Sequence, residues 1–533
     1  MFYGCSGLQS LNVSGWNTAN VTYMRGMFGG CSGLQSLNIS GWNTAKVTDM
    51  KGMFYGCTHL ATIYVGEGWS TIHVVIQHSS NMFTNCTSLV GGMGTTYNSN
   101  HTNAEYARID GGPDNPGYFT GRFTKEIAGY GTGTGGWYLI ASPVPSITPT
   151  LANGFITDDN TNPDNLTYDL YYFDQTGDAN GKEWKNYRAH PEFTSLVSGQ
   201  GYLYASKNGT TLLFSGAPYS GEGQVDLTYS EDNEDQGMWG WNLIGNPFAE
   251  TANLPSGLSY YTLNDTRSEL IAGNASTIGA MEAIFVKATG TGQSVQFTKQ
   301  SRGGISRGST AAVNAILSLN LTDNHNRLID RAIVRFDEGQ PLPKFQIRET
   351  STKVYIPQKG KDYAVINVCT DGACTVSTEM PVNFKAEENG EYTITVNIDN
   401  VEVNYLHLID NLTGNDVDML ALNGGDAINR VSTYTFKART TDYESRFKLV
   451  FICGDTNDDN DGDNATFAFY SNGNWIIANE GEATLQVVDV MGRILSSETI
   501  SGSINKAIDA VPGMYVLRLV NGNDIKTQKI VVK

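Results

Sequence analysis

Residues 1–26 read MFYGCSGLQSLNVSGWNTANVTYMRG, and residues 27–52 repeat them as MFGGCSGLQSLNISGWNTAKVTDMKG. A further copy opens at Met53-Phe54-Tyr55-Gly56-Cys57, and a looser one at Met82-Phe83-Thr84-Asn85-Cys86. A fixed period of this length marks stacked units, each unable to bury its apolar face alone. In the first unit Leu8, Leu11 and Val13 are spaced so that Leu11 and Val13 point inward from a short strand while Ser10 and Asn12 point out. Stacking predicts Leu11 over Leu37, Trp16 over Trp42, and Cys5 over Cys31, Cys57 and Cys86. Asn17-Thr18 and Asn43-Thr44 supply turns on the outer side. Met1 leads straight into a repeat, without a charged segment and an apolar run behind it, so the natural start is expected upstream, with a signal peptide and earlier repeats.

After Met82 the period dissolves into Gly91-Gly92-Met93-Gly94-Thr95 and then YARIDGG (106–112) and PGYFT (116–120), which read as a terminal cap. The M-F-x-x-C-x-x-L-x-x-L-x-V-x-x-W-N-T pattern with this closing segment resembles the BspA-like leucine-rich-repeat surface proteins of Bacteroidetes. The resemblance covers residues 1–121. It implies a leucine-rich-repeat solenoid on a cell-surface protein that mediates adhesion.

With 533 residues the chain is divided among several cores. Thirty-five Lys and Arg face 54 Asp and Glu, and a net charge of −19 excludes a nucleic-acid partner. Fifty-nine Gly, 27 Tyr and 17% charged residues predict a mainly β protein of short strands. No apolar run is long enough to cross a bilayer, so no transmembrane segment is expected.

Downstream, GWYLIASP (136–143) is echoed by GWNLIGNP (240–247), and GQGYLYA (199–205) by GAMEAIFV (279–286). Residues 122–305 therefore read as a β-sandwich or jelly roll of two related halves. Ser301–Ser309, with Arg, Gly and Ser and no apolar period, reads as a linker. Residues 306–452 read as another β-sandwich, with strand-like runs at Ala315–Leu321, Arg331–Phe336, Tyr363–Val368, Tyr392–Ile398, Tyr434–Ala438 and Arg446–Phe451. Residues 453–466 form an acidic linker around GDTNDDNDGDN (454–464).

At the end, Leu485-Gln486-Val487-Val488-Asp489, Met491-Gly492-Arg493, Val511-Pro512-Gly513-Met514-Tyr515 and Lys529-Ile530-Val531-Val532-Lys533 read as a small β-sandwich, with Gly492 and Gly513 at turns. This segment, 467–533, resembles the C-terminal sorting domain of the type IX secretion system. The resemblance implies export across the outer membrane to the cell surface by the type IX machinery, with Gly492, Arg493, Gly513, Tyr515 and Lys529 in the sorting signal.

The repeat cysteines lack C-x-x-C pairs and are expected to be buried structural thiols, with no metal. Cys369 and Cys374 flank Asp371-Gly372, a favoured hairpin turn that sets them opposite one another within disulfide reach; a cross-strand disulfide and a free pair both remain open. Asn457-x-Asp459-x-Asp461-Gly462 mimics the opening of a calcium loop, but Ala468 stands where the closing Glu belongs. The seven His are scattered, and no nucleophile, zinc or phosphate-loop spacing occurs. A non-enzymatic protein without cofactors is expected, binding host or neighbouring-cell proteins through Ser10, Asn12, Ser36, Asn38, Thr62 and Tyr64; the bland alternative is that these residues only keep the strand face soluble. The rival reading is glycan binding by the 122–305 sandwich, with Tyr171, Trp184 and Tyr187 as stacking rings; the favoured reading of the same rings is that they fill a sandwich core with their polar ends near the surface.

Overall fold

A computed structural model describes residues 1–132, 135–157, 167–176, 183–230, 238–300, 314–337, 339–368, 376–401, 403–420, 429–453, 467–471, 474–479, 481–489, 491–507, 511–522 and 524–532. The chain is mainly β, and its only helices among these residues are single 3₁₀ turns. It divides into two compact units, Met1–Leu254 with Thr277–Gly308, and Pro255–Ser276 with Ser309–Lys533.

In the first unit each repeat contributes one short strand: β1 (Ser10–Asn12), β2 (Ser36–Ile39) and β3 (Thr62–Val65). They pair in parallel, Leu11 beside Leu37 beside Ile63. β4 (Phe119–Ile127) joins the ladder through Phe119 beside Ile63. Behind the strands the repeated rings stack: Phe28 on Phe54 at 5.8 Å, Phe54 on Phe83 at 5.5 Å, and Trp16 on Trp42 at 6.4 Å. The cysteines tie successive rungs, since the thiols of Cys31, Cys57 and Cys86 donate to the carbonyls of Phe2, Phe28 and Phe54 at 3.0–3.1 Å. Burial pushes the Cys57 thiol up to about 12, so it stays a protonated donor. The outermost unit is looser: Leu11 is only half-buried and Cys5 is exposed.

The repeated glycines have a packing reason that the turn chemistry alone does not show. A Cβ on Gly41 would lie 2.0 Å from the Ser14 carbonyl oxygen, and one on Gly66 would lie 2.1 Å from that of Ser40. Gly41→Ala is therefore expected to force the rungs apart and cost about 1–3 kcal/mol. Urea unfolding compared with Gly15→Ala, whose Cβ meets nothing within 4 Å, checks this; equal effects would sink it.

The boundary read at residue 121 falls inside β4. Beyond Gly121 this strand turns from the parallel ladder to an antiparallel one, pairing Arg122 with Ser215 and Glu126 with Thr211 of the strand Thr210–Gly216. The repeat sheet and its successor are one five-stranded sheet. The sequence echo further along is also an echo of pairing. Tyr138–Ala141 pairs antiparallel with Gly201–Ser206, and Trp241–Gly245 pairs in the same way with Ala283–Lys287. Reciprocal bridges, Ile140 to Glu282 and Gln200 to Ile244, join the two halves.

In the second unit the six strand-like runs coincide with Ile316–Asp323, Leu328–Arg335, Lys361–Asn367, Gly390–Asp399, Asn429–Ala438 and Phe447–Cys453, except that Ala315, Phe336, Val368 and Arg446 each fall one residue outside their strand. They belong to a single eleven-stranded sheet rather than two separate ones. It folds over one core, from Leu317 to Phe451, and its end strands meet where Asn415 Nδ2 donates to the Tyr434 hydroxyl at 3.1 Å. The hairpin of Tyr260–Leu263 and Leu270–Ala272, grouped with 122–305 by sequence, belongs to this unit. Buried Glu269 accepts from Arg348 N at 3.2 Å and from Ser351 Oγ at 2.7 Å, and Arg331 Nη1 donates to Ala272 O at 2.8 Å. A packed pair of small sheets ends the chain, Glu482–Asp489 and Gly513–Asn521 at the centre of the larger, with Leu485, Val487, Leu517 and Leu519 inside.

Candidate functional site

Alternation along β1 to β3 sends Leu11, Leu37 and Ile63 inward and the intervening residues outward. Register then assembles two rows: Ser10, Ser36 and Thr62 in one, and Asn12, Asn38, Tyr64 and Thr120 in the other. All six surface residues read from the sequence thus come together on one face, Ser10 and Asn12 exposed and the other four half-buried.

The asparagines have a local role as well. Asn12 Oδ1 accepts from Ser14 N at 3.1 Å and Ser14 Oγ at 2.7 Å, and Asn38 Oδ1 accepts from Ser40 N at 3.1 Å and Ser40 Oγ at 2.8 Å. Each closes the turn that ends its strand. Their carbonyl oxygens are spent on the fold, so what faces outward is a pair of amide donors. Four residues of the same face were missed by sequence reasoning: Thr120, Arg122, Thr124 and Glu126. Alternation in FTGRFTKEI (119–127) carries the signal, but the vanished repeat hid it. The Arg122 guanidinium lies over the Tyr64 ring, 5.3 Å from its centroid. Asn12, Asn38, Glu67, Arg122, Thr124 and Glu126 are among the residues bordering a groove of about 640 Å³.

The rings of the glycan reading are dispersed. Pairing of Phe173 with Trp184 and Tyr171 with Asn186 puts Tyr171 and Trp184 on one face of their sheet, and Tyr187, one residue beyond Asn186, on the other. Each is half-buried against a different neighbour: Tyr171 edge-on to Trp137, Trp184 stacked on Phe285, and Tyr187 edge-on to Phe193. They form no common stacking platform.

In the C-terminal segment Gly492 occupies a left-handed turn position at φ 81°. Asp489 holds that turn, accepting from Met491 N and Arg493 N at 2.9 Å and from Arg493 Nε at 2.7 Å. Gly513, expected at a turn, is instead the first residue of a strand. Tyr515 is buried, edge-on to Trp475, with its hydroxyl donating to Val511 O at 2.8 Å. Lys529 is exposed opposite Val516. Cys369, Cys374, the 457–462 acidic run and the 301–309 linker lie outside the described residues.

A mainly β chain of many sheets, with a repeated outer face near one end and a compact terminal sandwich, defines a modular protein. Residues 1–106 match the family described as "Mycoplasma protein of unknown function, DUF285". Residues 471–533 match the "Secretion system C-terminal sorting domain" family. The chain carries a type IX sorting signal and is a secreted protein of the cell surface or exterior. No helix among the described residues is long and apolar enough to cross a membrane. No curated protein matches the sequence. Among solved structures, a "Biofilm associated protein - BSP domain" is similar at 9% identity and a TM-score of 0.14, covering 78% of this chain and 66% of that one. The chain spans about two thirds of that structure's length.

Proposed function

We propose that this is a non-enzymatic, surface-anchored interaction protein. Its 1–121 region acts as a BspA-like leucine-rich-repeat adhesin, binding host or neighbouring-cell proteins through the outer face of β1 to β4. The observation that supports this is the alignment of six outward polar positions into two rows over successive repeats. A repeated face of that kind offers a partner the same contacts several times over. The C-terminal segment is the part read by the type IX secretion machinery.

Because β4 bridges the repeats to the strand Thr210–Gly216, binding is best measured on the full chain, against immobilised extracellular-matrix proteins. Saturable binding is expected, weakened at least about tenfold in the combined Asn12→Ala, Asn38→Ala and Tyr64→Ala variant, as loss of a central contact cluster requires. Unchanged binding in that variant, or binding by no matrix protein, removes the reading.

A further inference from the structure

We propose that Arg122 and Tyr64 form a carboxylate-recognition site, and that the side-chain carboxylate of a partner polypeptide docks there. This rests on the proposed interaction surface and names the chemistry it selects. Arg122 is half-buried and its guanidinium rests on the Tyr64 ring, with no ion pair among the described residues. Stacking on the ring fixes the guanidinium plane while leaving its N–H edge free for a two-pronged contact. Further along the same groove, on the two strands beyond Tyr64, the amide nitrogens of Asn38 and Asn12 are donors, their carbonyls being held by Ser40 and Ser14. The groove therefore presents donors on β1 and β2 and one cation on β4, which suits an acceptor-rich, singly negative ligand.

Two features narrow the ligand further. Glu67 and Glu126 border the same groove, and Glu126 accepts from Thr211 Oγ1 at 2.8 Å. They disfavour a run of acidic residues and favour one carboxylate among neutral or basic neighbours. A sugar acid is the less suited ligand, because the groove offers no open ring face. Trp42 and Phe123 are buried, and the Tyr64 ring is covered by Arg122.

The test immobilises the full chain and presents short synthetic peptides bearing one glutamate among serine, threonine and lysine. Matched glutamine peptides, polyglutamate and polygalacturonate are run beside them. Glutamate peptides are expected to bind at least about tenfold tighter than their glutamine twins, the scale of a charge-assisted contact. Arg122→Gln should erase that difference and Arg122→Lys should keep only part of it, with unchanged circular dichroism in both; polyglutamate should bind more weakly than the single-glutamate peptides. Equal binding of glutamate and glutamine peptides, or of none, overturns the site, as does a preference that survives Arg122→Gln. Arg122-dependent retention of polygalacturonate without peptide binding overturns the polypeptide assignment. If matrix-protein binding still depends on Asn12, Asn38 and Tyr64 while the glutamate preference is absent, the surface stands and the carboxylate site falls.

Discussion

Arg446→Ala is expected to destabilise the eleven-stranded sheet by about 3–5 kcal/mol, the cost of leaving one partner of a buried ion pair behind. Arg446 and Asp410 have side chains 1% and 0% exposed. The contact is two-pronged, Nε to Oδ1 at 3.1 Å and Nη2 to Oδ2 at 2.9 Å. Asp410 also accepts from Leu412 N at 3.0 Å and the Tyr434 hydroxyl at 3.1 Å, so the carboxylate is fully engaged. Arg446 in turn donates to Lys437 O at 2.9 Å and lies over the rings of Phe436 and Phe447. Alanine removes the stacked surface and orphans the carboxylate. Amide exchange in Phe447–Cys453 and its neighbour Val403–Asp410 reads the loss locally. Arg446→Met with Asp410→Leu should recover most of it, because the pair is replaced by packing rather than broken. A single-variant cost under about 1 kcal/mol would mean that water reaches Asp410, against the burial argument.

The same pair sets a pH dependence. Burial alone would raise the Asp410 carboxyl, but the Arg446 hydrogen bonds and charge outweigh it and hold the group below the usual carboxylate range. Its contribution is therefore complete above the ordinary Asp value of about 4 and is lost as pH falls through the depressed folded value. Arg446→Met/Asp410→Leu should flatten that part of the acid unfolding curve.

Neither Arg446 nor Asp410 was recognisable in the sequence as a buried pair. Asp410 ends one strand and Arg446 immediately precedes another, 36 residues further along the chain, and charged residues read singly belong at a surface. The repeats were legible for the opposite reason. Phe28, Phe54 and Phe83 recur at the same place in each unit, so one strand read correctly gave the register of the next, and Ser10, Asn12, Ser36, Asn38, Thr62 and Tyr64 were placed on one face from spacing alone. What spacing could not reach was the strand that breaks the period. β4 shares the sheet without sharing the repeat, which hid Arg122. The rings at Tyr171, Trp184 and Tyr187 show the complementary failure: closeness in sequence suggested one platform, but strand alternation sent Tyr187 to the other face.

Phe54→Ala is expected to cost about 3–5 kcal/mol in the first unit, the range for a fully buried ring removed from a close-packed core. Phe54 lies between Phe28 and Phe83 with interplanar angles of 3° and 14°, and it meets Phe119 of β4 edge-on at 6.4 Å. It therefore joins the repeats to the strand that closes them. Each rung touches only its neighbours, so a void at this rung uncouples both sides of the stack. Phe2→Ala makes the comparison sharp, because Phe2 stacks on Phe28 at 5.6 Å and on Trp16 at 6.0 Å but is only half-buried and has a Phe neighbour on one side of the column alone. Its loss should cost well under half as much. Amide exchange is expected to rise in β2, β3 and β4 together in Phe54→Ala and only in β1 and β2 in Phe2→Ala. Equal costs would mean that the ring stack adds nothing beyond single burial. Unequal ones would tie the outer face to it, since Asn38, Tyr64 and Arg122 keep their spacing only while the rungs behind them stay in register.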